Sequence, residues 1–225
     1  MDKSMYSLIL LDEVVQKVDQ AAYRQGMSRS AMVNQILADY VSYMTPQRRI
    51  ESIFQQLSET VEGGGLLQVQ QTSGSMLMLR SRPPRSALNY RYNPTIRYSV
   101  EFGTEAGGYF CRFKAVTRTQ SDVLLQHLTL FYQLWCRVEG QMLQGQANGY
   151  LSCQINGGSF SRRLMVEQEE GLPDSHQLGR AIGRYIRLFD KALKLSFATE
   201  GDQKSIYEKI TNLYKHYMKA CEMII

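Results

Sequence analysis

The chain has 225 residues, 44% of them hydrophobic, and a net charge of +5 at neutral pH, which suits a folded globular chain with room for one large domain or for a small one and a medium one. No stretch reaches the ~18 continuous apolar residues of a membrane span, and Asp2, Asp12 and Glu13 make the start a poor signal peptide, so a soluble, cytoplasmic protein is expected. The charge is uneven: −1 over residues 1–45 (four Lys/Arg, five Asp/Glu), +5 over 46–118 (ten, five) and +1 over 119–225 (twelve, eleven), which puts the natural place for an acidic partner in the middle.

The first predicted element is a short strand. In Met5–Leu10, Tyr6, Leu8 and Leu10 point one way and Met5, Ser7 and Ile9 the other. The period then becomes helical. Val14, Val15, Val18, Ala21 and Ala22 form one stripe, with Asp12 and Glu13 where a helix dipole favours acids. Gly26 suits a helix C-terminus and Ser28 the N-cap of the next helix. Met32, Val33, Ile36, Leu37 and Tyr40 form a second stripe, and Pro46 discourages its continuation. A lone strand leaves its backbone groups unpaired, and two short helices bury little. The economical solution is a second copy, with two identical strands pairing across a two-fold axis above four helices.

Along SLILLDEVVQKVDQAAYRQGMSRSAMVNQILADYV the chain resembles the ribbon-helix-helix DNA-binding family of the Arc and MetJ kind. The likeness lies in the alternating strand, in Leu10 four residues before Val14, and in the Gly26-Met27-Ser28-Arg29-Ser30 step into the second helix. The resemblance implies a homodimer formed through the N-terminal strand, with higher oligomers left open, and double-stranded DNA as partner. Its two-stranded ribbon would enter the major groove. The base-facing side chains would then be Met5, Ser7 and Ile9, with Lys3 at the ribbon's end, while Ser28, Arg29 and Ser30 would present a helix N-terminus to a phosphate. The sequence departs from the family in one respect: Met5 and Ile9 are apolar where such ribbons expose polar or basic residues. They suit thymine methyl groups, or equally a ribbon covered by protein.

A helix over residues 45–66, carrying Ile50, Ile53, Phe54, Leu57 and Val61 and ended by Gly63–Gly65, reads as a link. Four strand candidates follow, LLQVQQ, SMLMLRSR, TIRYSVEFG and GYFCRFKAV, the last two a hairpin, which suggests an antiparallel sheet. Between them, residues 80–98 hold five arginines, three tyrosines, three prolines and no acid. Arg80, Arg82, Arg85, Arg91 and Arg97 read as a secondary basic patch that tracks phosphates, or as a solvated, proline-stiffened connection. A core helix is expected at Ser121–Leu143, one or two strands in ANGYLSCQINGGSF, another in RRLMVEQEE, and closing helices at His176–Phe197 and Lys204–Met223.

The fold class expected is therefore α+β: a ribbon-helix-helix domain over 1–45, a linking helix over 46–65, and an α+β domain over 66–225 with an antiparallel sheet and long C-terminal helices. Cys111, Cys136, Cys153 and Cys221 are scattered, without metal-ligand spacing to His127, His176 or His216, so reduced thiols and no metal are expected. Phosphate-loop, His-Glu-x-x-His and Gly-x-Ser-x-Gly motifs are missing, so neither a cofactor nor an enzyme is expected. The first functional expectation is a DNA-binding transcriptional regulator, by default a repressor, whose C-terminal domain adds oligomer contacts or senses a small ligand. The alternative is a protein-interaction module, antitoxin-like or accessory to plasmid transfer, whose N-terminal unit does not read DNA.

Overall fold

The computed structural model describes residues 4–62, 68–81, 95–105, 108–143, 153–164, 174–198, 202–221 and 225. They form a mixed α+β protein of two compact units that divide between Arg49 and Ile50.

The smaller unit contains α1 (Asp12–Arg24), α2 (Arg29–Tyr40) and the start of α3 (Pro46–Glu62). Asp12 and Glu13 occupy the first turn of α1, and Gly26 follows it at φ 64°, the left-handed conformation that glycine adopts without penalty. The strand expected at Met5–Leu10 does not form within this chain: residues 4–11 belong to neither helix nor strand, and α1 is the first regular element. A β ladder exists only where a second strand supplies hydrogen bonds, and none of the described strands pairs with residues 4–11.

The larger unit is built on a six-stranded antiparallel sheet, ordered β1-β2-β3-β4-β6-β5. Its strands are β1 (Gln68–Ser73), β2 (Met76–Ser81), β3 (Ile96–Glu105), β4 (Gly108–Thr117), β5 (Cys153–Asn156) and β6 (Ser159–Leu164). The predicted alternation holds in the central hairpin: Ile96, Tyr98, Val100 and Phe102 are buried, as are Cys111, Phe113 and Ala115 across from them. Arg162–Leu164 of the strand expected in RRLMVEQEE belong to β6, and the rest of that segment and Gly63–Gly65 lie outside the described residues.

The inner face of the sheet and α4 (Asp122–Met142), α5 (Ser175–Ala198) and α6 (Gln203–Ala220) share one hydrophobic core. Phe189 is its hub, with its ring 5.1 Å from Phe113, 5.1 Å from Trp135 and 5.2 Å from Phe160. The apolar stripe of α3, read as a link, is also core here: Ile53, Phe54, Leu57 and Val61 are fully buried. Gly179 and Gly183 let α5 approach α3 closely. A Cβ on Gly179 would lie 2.6 Å from the Ile53 carbonyl oxygen, and one on Gly183 would lie 2.8 Å from Thr60 Cβ. Gly179→Ala is expected to destabilise the larger unit by about 1–3 kcal/mol, because a backbone atom must move. A urea midpoint equal to that of the parent protein would show that the helices separate without cost.

Candidate nucleic-acid interface

Residues 4–11 are exposed throughout, although six of these eight side chains are apolar. Met5 is 97% exposed and Ile9 fully so, with Ser7 exposed between them. The opposite set is bare too: Tyr6 is 81% exposed and Leu8 62%. Both faces of the predicted strand are thus uncovered in a single chain. Lys3 lies outside the described residues.

The second part of the expected site is the start of α2. Ser28 caps it, its Oγ accepting from the Ala31 backbone N–H at 3.2 Å. Ser30 is exposed on the first turn, which carries no acidic residue of its own. Arg29 is held by α1: its Nε and Nη2 donate to the two carboxylate oxygens of Asp19, each at 2.6 Å. This fork geometry orients the guanidinium, and its hydrogen bonds hold the Asp19 carboxyl below its ordinary range. A phosphate at this helix end therefore meets the backbone N–H groups and the two serines first, and must compete with Asp19 for Arg29. Nothing in the ten-residue spacing of Asp19 and Arg29 announced this pair.

The two helices bury only Ala22, Met32 and Ala38. Val14, Tyr23, Ile36, Leu37 and Tyr40 remain exposed, and an open cleft of about 400 Å³ is floored by Val14, Val18, Ala21 and Ile36. The helical pair thus leaves much of its apolar stripe uncovered.

Of the basic patch, Arg82, Arg85 and Arg91 lie outside the described residues. Arg80 and Arg97 are brought together as direct cross-strand partners on β2 and β3. Their side chains share the outer face of the sheet, opposite the core.

Among the described residues no three His, Cys, Asp or Glu side chains group as metal ligands. His127 stacks on Phe197 with ring centroids 4.4 Å apart, and burial lowers its pKa. A cleft of about 720 Å³ in the larger unit has an apolar floor of Val61, Leu188, Leu213 and Tyr217 and a rim that includes Arg184, Arg187 and Lys191. Glu139 and Arg162 form a fully buried ion pair at 2.8 Å. Their side chains have no exposed surface, so the pair is part of the core and offers a substrate no access. The sequence reading missed it, since Arg162 occupies an ordinary inward position of β6. No helix among the described residues is long and apolar enough to cross a membrane. No protein-family model, curated protein or solved structure matches the chain.

Proposed function

We propose that the chain is a transcriptional regulator that binds double-stranded DNA as a homodimer, its N-terminal segments pairing as a ribbon-helix-helix β-ribbon. The observation that carries this reading is the segment 4–11, largely apolar, exposed on both faces and leading directly into a helix pair that leaves its own apolar stripe bare. A second copy of the same segment would satisfy its backbone and cover Tyr6, Leu8 and Leu10 against the helices. Met5, Ser7 and Ile9 would then face the major groove, and the start of α2 a phosphate. Repression is the simplest consequence, since a dimer seated in the groove blocks access. The larger unit would add oligomer contacts or sense a small ligand, for which the cleft rimmed by Arg184, Arg187 and Lys191 has the size of a ligand pocket.

Selection from a random duplex library, followed by fluorescence anisotropy, tests the reading. The full chain is expected to enrich a two-fold symmetric site. Ser7→Ala with Ile9→Ala should cost about 1–3 kcal/mol for each base edge no longer read, and leave the dimer intact. A folded dimer that enriches no sequence and binds no duplex at low salt would refute it. One observation favours the second reading, a protein-docking module: Met5 and Ile9 are apolar and almost wholly exposed. In that case the double variant would lose a protein partner while DNA binding stayed as it was.

A further inference from the structure

We infer that the cleft of the larger unit between α5, α6 and the C-terminal end of α3 binds a small organic acid, one carboxylate head on an apolar body, an inference that rests on the ligand-sensing part of the proposed function and names the class of ligand. The cleft holds about 720 Å³, within the range of small-molecule sites. One wall is α5. Arg184, Arg187, Lys191 and Lys194 recur along it at i, i+3, i+7 and i+10, a single stripe of a helix. At about 1.5 Å per residue the stripe runs about 15 Å. Arg184, Arg187 and Lys191 are exposed, and Lys194 is half-buried. Below this cationic edge the floor is apolar: Val61, Leu188 and Tyr217 are buried and Leu213 is half-buried. A cationic stripe alone is an ordinary solvated helix face. Set along the lip of an apolar cleft, it makes a site with two chemistries.

The charges of this site are accounted for one by one. Asp190 is the single acid of α5 and the single acid that lines the cleft among the described residues. Both its oxygens are committed, Oδ2 accepting from Lys194 Nζ at 2.6 Å and Oδ1 from the Tyr98 hydroxyl at 2.9 Å. Lys194 is thereby neutralised. Arg184 lies beside Cys221, where its charge opposes the rise that burial gives the thiol pKa. Arg187 donates from Nη1 to the Thr60 carbonyl at 3.3 Å, which uses one of its five N–H donors. Lys191, one turn further on, has no ion-pair or hydrogen-bond partner among the described residues. On the α6 side, His216 Nδ1 faces the Asn212 carbonyl at 2.8 Å, so Nε2 is the nitrogen left to a ligand. Arg187 and Lys191 thus offer one anionic head its place. A carboxylate there receives charge-assisted hydrogen bonds, while an apolar body removes the floor from water. The same stripe repels an organic cation, and a strongly polar body would lie unsatisfied on the floor.

The test is calorimetric titration of the full chain with decanoate below its micellar concentration, beside octanoate, acetate and octylammonium. Decanoate is expected to bind at one per chain. Octanoate should bind more weakly, by about two- to fourfold for each methylene removed, and acetate and octylammonium should give no measurable binding. Arg187→Gln with Lys191→Gln, both at exposed positions, should weaken decanoate by about tenfold or more. Ala220→Trp, exposed on α6 where it lines the cleft, should block the site without entering the core. Thermal midpoints equal to the parent's show that both variants fold. A parent chain that binds no decanoate overturns the inference and leaves the DNA-binding reading where it stood. Decanoate binding that neither variant weakens, or octylammonium bound as tightly as decanoate, overturns it as well. Decanoate bound at one per chain and lost in both variants, by a protein that binds no duplex, keeps the organic-acid site and removes the regulator.

Discussion

Substituting Asp for both Leu8 and Leu10 is expected to turn the protein from a dimer into a monomer at micromolar concentration and to abolish its binding to duplex DNA. Leu8 is 62% exposed and Leu10 46% exposed in the single chain, so neither change disturbs that chain's own packing. In the proposed ribbon both face the helices beneath, once from each copy. Burying one leucine contributes about 1.5–3 kcal/mol, and a dimer buries four. Each is already about half covered, so loss of all four corresponds to at least about two orders of magnitude in the dimer dissociation constant, before the cost of forcing carboxylates into the interface. Sedimentation equilibrium measures this directly, with far-UV circular dichroism to show that the helices persist. A variant that remains dimeric despite both substitutions would separate dimerisation from the N-terminal segment and leave the ribbon without support.

Much of the larger unit was legible because its elements obey local rules. The β3 alternation of Ile96, Tyr98, Val100 and Phe102 against Arg97, Ser99 and Glu101 is the period of a half-buried strand, and the structure buries the first set. Ser121 was read at the start of α4 and caps it, accepting from the Leu124 N–H. What the sequence hid was non-local. Nothing near α3 says that Ile53 and Leu57 belong to the larger unit's core; that follows from the close approach of Gly179 to them. The same holds for the outer sheet face. Arg80 and Arg97 were read as parts of one loop-centred patch, yet register makes them direct cross-strand partners on β2 and β3. The N-terminal segment is the opposite case. Its period-two pattern is plain, but a strand is defined by its partner, and the described residues supply none.

Arg162→Met is expected to cost about 3–5 kcal/mol at neutral pH, the range for stripping one partner from a buried ion pair. Arg162 donates from Nη1 to Glu139 Oε1 at 2.8 Å and from Nη2 to the Ile225 carbonyl at 2.9 Å, while its guanidinium lies 4.9 Å from the centre of the Tyr185 ring. Burial already raises the Glu139 pKa, and the Arg162 charge opposes that rise. Without the arginine the carboxyl's folded pKa climbs further above its unfolded value. The folded variant then binds a proton that the unfolded chain releases. Its stability is therefore greatest below the unfolded pKa and falls as pH rises through the folded one. The deficit against the parent protein should shrink toward acid and widen toward neutrality, as urea midpoints across that span would show. Adding Glu139→Leu to Arg162→Met removes the orphaned charge as well, and should return stability to near the parent value or above it, since apolar replacements of buried pairs are often neutral or stabilising. If the double variant is as unstable as the single one, at every pH, the ion pair is not the source of the loss. Arg162 then acts through Tyr185 and the Ile225 carbonyl, as the strut that ties β6 to α5 and to the chain's last residue.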